Sequence, residues 1–244
     1  MYRKKRIAAV VAAAGKGSRM NGTINKQFLM LGDKPILAHT LRVLQGCSVV
    51  DEVIVVAAKD EIEYCYEHII NPYGFSKVRD VVAGGATRQR SMANGLNTVH
   101  PDTDIVVLHD GVRPFYSCEL IEQGVRIIVE GRGDGAVCAV PLKDTVKVVG
   151  ENGEAAATLD RSKLQAVQTP QCFRYSKILE AYRMAEREGR EATDDSTLLE
   201  EFGGRVVLYP GSNRNIKITT PEDMIIAKAF LNWGDLNEQG RHWV

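Results

Sequence analysis

A short apolar segment near the start of the chain runs into a glycine-containing loop with several cationic side chains. Residues 7–12 read Ile-Ala-Ala-Val-Val-Ala, and they are followed by Ala13-Ala14-Gly15-Lys16-Gly17-Ser18-Arg19-Met20 and then by Lys26-Gln27-Phe28. Glycine tolerates positive φ and lets backbone N–H groups approach an anion closely, so a buried strand that ends in such a loop is typical of phosphate sites in α/β proteins. Arg19 and Lys26 add positive charge. The segment therefore predicts a nucleotide or phosphate site, the alternative being an ordinary turn with incidental basic residues.

Two familiar phosphate loops do not fit this segment. A Walker A loop continues from its Gly-Lys pair to Ser or Thr, whereas Gly15-Lys16 is followed by Gly17. A Rossmann dinucleotide loop needs a third glycine where this chain has Met20. The predicted site therefore belongs to another type of nucleotide-binding protein.

Composition limits the partners of the chain. Its 31 Lys and Arg balance 31 Asp and Glu, so no global field attracts nucleic acid or a membrane surface, and anion recognition must be local. Only about six apolar residues separate the basic N-terminus from the first glycine, too few for a signal peptide or a membrane span. We therefore expect a cytoplasmic protein with no nucleic-acid and no membrane partner.

The cysteines are expected to be reduced, mostly structural thiols. They form no CxxC pair, and an odd number argues against a disulfide framework. The five positions are Cys47, Cys65, Cys118, Cys138 and Cys172.

Apolar runs alternate with segments of helical period along the chain. Strands are predicted at 7–12, 53–57, 78–83, 105–109, 136–140 and 206–209. Helices are predicted at 36–45, 60–70, 87–98, 118–130, 176–188 and 221–232, the last with Thr220 as N-cap and Pro221 at its first position. This alternation predicts an α/β fold with a doubly wound, mainly parallel, Rossmann-like sheet, whose ligands bind at the carboxyl ends of the strands.

Residues 143–158 depart from the alternation and read as a β-hairpin around the turn Gly150-Glu151-Asn152-Gly153. A two-stranded ribbon is marginally stable alone in water. We therefore expect this segment to pack against a second subunit, with packing on its own domain as the alternative.

Chemistry-bearing residues follow the predicted strands. Gly84-Gly85, together with Arg88 and Ser91, is a candidate for a second loop that binds an anion or a base. Asp110 directly follows a buried strand, where it is a candidate for holding Mg²⁺ or a ribose, or is a turn residue, and Arg113 is placed to pair with a phosphate. His109 reads as a packed strand-end histidine rather than a catalyst.

Two later segments leave alternatives open. Thr193-Asp194-Asp195-Ser196 precedes a helix, where Asp195 or Ser196 is a candidate cap. Lys217 lies in the apolar alternation Asn215-Ile216-Lys217-Ile218-Thr219, and it is either an exposed strand residue or a cation of the site.

Taken together, these motifs resemble in order those of the 2-C-methyl-D-erythritol 4-phosphate cytidylyltransferase family of the non-mevalonate isoprenoid pathway. The matching segments are residues 13–20, Lys26-Gln27-Phe28, Gly84-Gly85 with Arg88, Gln89 and Ser91, residues 110–114, Asp144-Thr145, Asp160-Arg161-Ser162, residues 168–171, Thr193-Asp194-Asp195 and residues 215–219. Asn25 stands where the family usually has proline, and Ala86 where an acidic residue is common. The resemblance implies a single nucleotidyltransferase domain over 1–233, including the hairpin, and a tail at 234–244.

The resemblance implies transfer of a cytidylyl group from CTP to 2-C-methyl-D-erythritol 4-phosphate, with pyrophosphate released and Mg²⁺ required. It also implies a homodimer in which the hairpin reaches the neighbouring subunit and completes its site. Mg²⁺ would be held mainly by the phosphates of CTP, with Asp110 as a candidate ligand.

The resemblance also assigns roles to individual residues. Those that stabilise the transition state or aim the substrate phosphate would be Arg19, Lys26, Arg161 and Lys217. Those that bind CTP would be Ala13, Ala14, Gly15, Gly17, Gly84, Arg88 and Ser91. Those that contact methylerythritol phosphate would be Asp110, Arg113, Thr145, Thr169 and Thr193.

Three other functions compete with this interpretation. Ribitol 5-phosphate cytidylyltransferases share the first loop, but they tend to carry Cys after the Thr-Asp pair, where this chain has Asp195-Ser196. A sugar-1-phosphate nucleotidylyltransferase is disfavoured by the short chain. A catalytically dead nucleotide-binding regulator is disfavoured by Arg19, Lys26, Arg161 and Lys217, because a binder has no use for all of these cations.

Overall fold

The computed structural model, which describes residues 2–15 and 25–238 with side chains to 233, has a central sheet of seven strands. All strands of the described chain, in order, are β1 (Ile7–Ala13), β2 (Met30–Leu31), β3 (Lys34–Pro35), β4 (Glu52–Ala57), β5 (Val78–Ala83), β6 (Ile105–Asp110), β7 (Gly135–Pro141), β8 (Lys147–Val149), β9 (Ala155–Thr158), β10 (Gln165–Arg174) and β11 (Val206–Pro210). The central sheet has the order β11-β7-β10-β6-β1-β4-β5. β10 runs antiparallel to β6 and β7, and the other neighbouring pairs are parallel. The predicted α/β class with a mainly parallel sheet is confirmed.

Helices cover both faces of this sheet. They are α1 (Ile36–Gly46), α2 (Ile62–Cys65), α3 (Asn71–Tyr73), α4 (Arg88–Thr98), α5 (Cys118–Val129), α6 (Tyr175–Glu188), α7 (Asp195–Glu201) and α8 (Pro221–Glu238). The Oγ1 atom of Thr220 accepts the N–H of Asp223, which confirms Thr220 as the cap of α8. The helix predicted over 60–70 is wrong in detail: a 3₁₀ turn at Lys59–Glu61 precedes α2, and a π turn at Tyr66–Ile70 separates α2 from α3. Pro72 has no N–H to continue the α-helical ladder there.

Alternate residues of the strands supply two cores. Ile7, Ala9 and Val11 of β1 face the core that includes residues of α1 and α5. Ala8 and Val10 face the core that includes residues of α4, α6 and α7. Because both faces are covered, β1 and β4 are apolar at nearly every position, and this is why their sequences are continuous apolar runs.

β10 was not predicted as a strand. Its middle residues are buried although several are polar, namely Gln168, Thr169 and Gln171. Their side chains bond to other elements: Gln171 donates to Asp194, and Gln168 donates to the carbonyl of Ser212. A polar segment of this kind shows neither apolar periodicity nor an apolar run, so a pattern-based prediction misses it.

The predicted hairpin is present, and we call residues 143–158 the arm. β8 and β9 pair antiparallel as a separate two-stranded sheet, closed by a hydrogen bond from the Gly153 N–H to the Gly150 carbonyl. Every residue of β8 and β9 is exposed, and Val149 keeps 69% of its surface accessible. The structure of this single chain leaves the expected packing against a second subunit as a prediction.

The expectation that all cysteines are reduced is wrong for one pair. Cys47 and Cys118 form a disulfide, with Cα atoms 5.4 Å apart, while Cys65, Cys138 and Cys172 are buried thiols. Cys47 caps the C-terminus of α1 and Cys118 begins α5, two helices packed on the same face of the sheet. The two cysteines are 71 residues apart in the sequence, so no short spacing motif predicts the disulfide.

No helix in the described part of the chain is both long enough and apolar enough to span a bilayer.

Candidate functional site

The carboxyl ends of neighbouring strands open into a cleft of about 490 Å³, which we call the strand-end cleft. It lies where β1 and β6 end and where the loop after β5 leads into α4. The predicted site residues that line it are Ala13, Ala14, Gly15, Lys26, Arg88, Ser91, Asp110 and Lys217. The sheet thus brings together residues that are up to two hundred positions apart in the chain, as expected for the ligand edge of a parallel sheet.

Other predicted residues lie beside or away from this cleft. Gly84 packs behind its wall, where an added Cβ would lie 2.6 Å from the Cβ of Ala14. Arg113 and Thr169 bond to Asp110 just below the cleft. Among the described residues, Thr145, Arg161 and Thr193 are exposed and do not line the cleft of their own chain. Gly17 and Arg19 lie outside the described residues.

The loop between β5 and α4 is held by hydroxyl groups. Thr87 is the N-cap of α4, and its Oγ1 accepts the N–H of Arg90. The hydroxyl of Ser91 accepts the N–H of Gly85 at 3.0 Å and donates to the carbonyl of Thr87 at 2.9 Å. These bonds hold the loop at the cleft wall, so the start of α4 lies at the cleft. The first N–H groups of a helix have no partner within the helix and are suited to bind an anion.

Asp110 is the central charge of the cleft. Its Oδ2 atom lies 3.1 Å from Nε of Arg113 and 3.1 Å from Nζ of Lys217, and its Oδ1 lies 3.8 Å from Nε of Arg88. Burial would raise the pKa of Asp110, but the three cations outweigh burial and hold the pKa well below its ordinary value. The carboxylate is therefore ionised at any working pH. Arg88 also pairs with Asp195, so the cluster holds three cations and two carboxylates, and one positive charge remains for ligands.

Lys217 lines the strand-end cleft and does not lie in a strand. Residues 215–219 form no strand in the structure. Instead, the N–H of Ile218 donates to the carbonyl of Val112, and Ile218 is fully buried. This anchor places Lys217 beside Asp110, a position that favours the second alternative.

Arg88 is held in place by Asp195 and Tyr182, two residues with no predicted role in the site. Its guanidinium donates two hydrogen bonds of 2.8 Å to the buried carboxylate of Asp195, which also accepts from the hydroxyl of Tyr182. Burial alone would lower the pKa of Arg88, but the charges of Asp195 and Asp110 raise it above its ordinary value. The bidentate pair fixes the plane of the guanidinium as well as its position.

Asp195 is therefore not a helix cap. The N-cap of α7 is Asp194, whose carboxylate accepts the N–H of Thr197 at 2.9 Å. The two aspartates of the Thr-Asp-Asp sequence have different roles. Asp194 caps α7, and Asp195 binds the guanidinium of Arg88. The one sequence signal of this role is an aspartate in the first turn of a helix, which most often is only a cap.

A buried histidine supports Asp110 from below. Thr169 Oγ1 accepts the backbone N–H of Asp110 at 3.0 Å and lies 3.0 Å from Nδ1 of His109. Nε2 of His109 lies 3.2 Å from the carbonyl of Arg113, which only accepts, so the proton sits on Nε2 and Nδ1 accepts from Thr169. Burial lowers the pKa of His109 to about 3, so the ring is neutral. It is a packed structural histidine, as the sequence indicated.

The segment that carries Lys217 is tied to the same support. Asn215 is fully buried and donates from Nδ2 to the carbonyl of Thr169 at 2.8 Å. The carbonyl of Asn215 accepts a 2.8 Å bond from the guanidinium of Arg113. Thr169, Arg113 and Lys217 are thereby fixed relative to Asp110, and the hydroxyl of Thr169 serves this support.

A different cavity of about 260 Å³ lies between α4 and α6. Its rim includes Arg90 and Glu186, which are both more than 60% exposed and pair with each other at 3.0 Å. We assign function to the strand-end cleft because its cations surround the buried carboxylate of Asp110, whereas the charged rim of this cavity is exposed.

Comparisons with known proteins identify the family of the chain. The model of the family "2-C-methyl-D-erythritol 4-phosphate cytidylyltransferase" matches residues 7–233. The protein of that name from Clostridium acetobutylicum is 48% identical over 91% of this chain and 96% of its own, and that from Geotalea uraniireducens is 48% identical over 93% and 97%. The crystal structure of 4-diphosphocytidyl-2C-methyl-D-erythritol synthase from Anaerococcus prevotii is 34% identical, with a TM-score of 0.82 over 93% of this chain and 96% of that chain.

The buried state of His109 predicts a pH dependence of stability. The unfolded histidine takes up a proton below about pH 6.5, whereas the folded one resists protonation down to about pH 3. The free energy of unfolding should therefore fall as the pH falls through this window. Between pH 7.5 and 5.5 the contribution of His109 should shrink by about 1.4 kcal/mol.

Urea unfolding of the wild type and of His109→Gln at these two pH values measures that contribution. The variant keeps an amide N–H near the Arg113 carbonyl but has no titration in this range, so the wild type should lose about 1.4 kcal/mol more than the variant. Equal losses in both proteins would show that His109 titrates normally in the folded state.

Proposed function

Because the chain belongs to the 2-C-methyl-D-erythritol 4-phosphate cytidylyltransferase family, we propose that it transfers the cytidylyl group of CTP to 2-C-methyl-D-erythritol 4-phosphate. The products are 4-diphosphocytidyl-2-C-methyl-D-erythritol and pyrophosphate. The observation that carries the proposal in the structure is the set of cations around Asp110 at the end of the sheet. Both substrates are anions, and a cleft of about 490 Å³ has the size of a small-molecule site.

The reaction requires positioning and charge stabilisation rather than a protein nucleophile. A phosphate oxygen of methylerythritol phosphate attacks the α-phosphorus of CTP in line. The bond from that phosphorus to the bridging oxygen of the β-phosphate breaks, and pyrophosphate leaves with the electron pair. Negative charge develops on the pentacoordinate phosphorus and the leaving group, so preorganised cations lower the barrier.

We propose that the first loop and the start of α4 bind CTP. Ala13, Ala14 and Gly15 line the cleft at the end of β1, and Arg88 and Ser91 line it from α4. Gly84 allows close packing of these two walls. Gly17 belongs to the same proposed loop by its place in the sequence.

Methylerythritol phosphate binds in this proposal between Asp110 and the arm of the other subunit. Asp110 and Arg113 contact its polyol, Lys217 orients its phosphate, and Thr169 acts through its bond to Asp110. Arg161, Thr145 and Thr193 complete the substrate contacts. Lys26 and Arg19 stabilise the charge of the transition state.

Mg²⁺ fits this site mainly as an ion held by the phosphates of CTP. The described residues contain no group of three or more His, Cys, Asp or Glu side chains that would hold a metal by themselves. Asp110 offers one candidate oxygen, Oδ1, since Oδ2 is paired with Arg113 and Lys217. One carboxylate with substrate phosphates is a usual Mg²⁺ environment, in which the ion would neutralise phosphate charge.

We propose that the enzyme is a homodimer in which the arm reaches the partner subunit. Apolar side chains of the arm face solvent in the single chain, with Val148 at 42% and Val149 at 69% exposure. Arg161 and Thr145 flank the ribbon and lie away from the cleft of their own chain. An isologous dimer would cover the apolar arm and bring these residues to the partner's cleft in one step.

The proposed domain organisation is one nucleotidyltransferase domain over 1–233 with residues 234–244 as a tail. The family match to residue 233 supports this division. We propose the cytoplasm as the site of action, since CTP is the nucleotide consumed.

Substrate preference tests the proposed reaction. With Mg²⁺ present, CTP and methylerythritol phosphate should release pyrophosphate rapidly, whereas ribitol 5-phosphate or any of ATP, GTP and UTP should give slow release. The measurement is pyrophosphate release for each pairing at equal concentrations. Comparable or faster turnover with ribitol 5-phosphate would contradict the proposed acceptor, and no turnover with any pair would favour a nucleotide-binding regulator.

Complementation tests the shared site. Lys26→Ala and Arg161→Ala should each lose most of the wild-type activity, and a mixture that has exchanged subunits should recover about a quarter of it. Half of the dimers are then mixed, and each mixed dimer has one site with both side chains intact.

Subunit exchange is verified beforehand with differently tagged chains, and the oligomeric state is measured by light scattering at the assay concentration. A monomer under those conditions, or no recovery of activity after complete exchange, would contradict the shared site. Arg161 would then act in its own chain.

A further inference from the structure

The proposed catalytic Lys26 lies in a single turn whose two neighbouring amides are bound by one carboxylate. Residues Lys26–Phe28 form a 3₁₀ turn, closed by a hydrogen bond from the Phe28 N–H to the carbonyl of Asn25. The side-chain amide of Gln27 donates to Oε2 of Glu61 at 3.2 Å, and that of Asn25 donates to Oε1. Glu61 therefore contacts the residue before Lys26 and the residue after it, and we call these two hydrogen bonds the clamp.

The turn is also fixed by packing on the same helical segment. Gln27 and Phe28 are buried at 1% and 6% exposure. The ring of Phe28 meets that of Tyr64 edge to face, with centroids 4.7 Å apart, and Tyr64 lies one turn after Glu61. Lys26, between two anchored residues, faces the strand-end cleft. The anchors leave the lysine backbone little freedom to move.

We infer that Glu61 is a positioning residue that holds Lys26 in place for the reaction. The inference rests on the proposed role of Lys26 in stabilising the transition state. A cation that is already in place needs no reorganisation when charge develops on phosphorus, whereas a mobile one must be ordered first. Glu61 itself touches neither substrate in this account, so its removal should lower kcat through Lys26.

A carboxylate is the side chain that this arrangement requires. Two amide groups donate, and an ionised carboxylate offers two acceptor oxygens. Glutamine at position 61 keeps one acceptor and places an NH₂ group against another NH₂ group. The variant Glu61→Gln is nearly isosteric and should therefore loosen the turn with little change in packing.

The backbone of Asn25 supplies an independent way to restore the turn. Its φ of −63° and ψ of 140° are values that proline adopts without strain. Proline at position 25 would remove the bond to Glu61 but restrict the same backbone directly, by reducing the freedom of the loosened chain.

A double-mutant cycle tests the inference. Lys26→Ala should lower kcat by roughly 10²–10³-fold, the scale of a lost transition-state cation. Glu61→Gln should lower kcat by about 10-fold, with KM for CTP changed less than about twofold. In the Lys26→Ala background, Glu61→Gln should have no further effect. Asp60→Asn, which removes an exposed carboxylate one residue away, is the matched control and should leave kcat unchanged.

Rescue separates positioning from simple stability. Adding Asn25→Pro to Glu61→Gln should restore most of the lost kcat, whereas adding Asn25→Ala should not. If Glu61→Gln fails to fold, Asn25→Ala alone replaces it in the cycle, with a smaller decrease of about threefold expected because one of the two clamp bonds remains. Thermal unfolding of each variant is measured alongside kinetics.

Each outcome identifies what has failed. A normal kcat in Lys26→Ala refutes the role of Lys26 and, with it, the function of the clamp. An impaired Lys26→Ala with a normal Glu61→Gln refutes the clamp alone. An equal decrease by Glu61→Gln with and without Lys26, or a lower Tm with unchanged kcat, would show that Glu61 is only structural.

Discussion

The site depends on one buried carboxylate. Asp110, at the end of β6, pairs with Arg113 from the following turn, Lys217 from residues 215–219 and, at longer range, Arg88 from α4. A buried anion without partners would be costly, and three unopposed cations would repel one another and spread apart. The carboxylate and the cations therefore stabilise one another in the folded chain. Their ion pairs hold three segments together: the end of β6 with its turn, α4 and residues 215–219. The charge that remains positive is available for the phosphates of two anionic substrates.

A second layer of contacts keeps this cluster rigid. The hydroxyl of Thr169 joins Asp110 to the neutral ring of His109, and Asn215 joins the Lys217 segment to β10. Asp195 and Tyr182 fix Arg88 from the other wall. We assign no ligand contact to these residues, but their hydrogen bonds fix the positions of the cations. A reaction that relies on charge stabilisation rather than a nucleophile needs this preorganisation.

Sequence reasoning predicted the parts of the molecule that have local signals. Strands covered on both faces are continuous apolar runs, and an aspartate at the end of such a strand, as at Asp110, indicates a candidate site. Asp195 was missed because it looks like a cap, and Glu61 because it looks like an exposed helix-start residue. Their partners lie far away, 107 residues for Arg88 and Asp195, and only the fold reveals such pairs. The disulfide of Cys47 and Cys118 was missed for the same reason, whereas β10 was missed because its buried middle residues are polar.

The kinetics of Asp110→Asn test the central claim most directly, because the two effects of this carboxylate have opposite signs. If Asp110 mainly neutralises charge, its loss makes the cleft more positive and should tighten the binding of CTP and methylerythritol phosphate. If it holds the cations in position, its loss should misplace them. The account predicts that kcat/KM for both substrates falls by at least about 10-fold, the scale expected when catalytic groups move out of position. An unchanged or increased kcat/KM in a folded variant would contradict it.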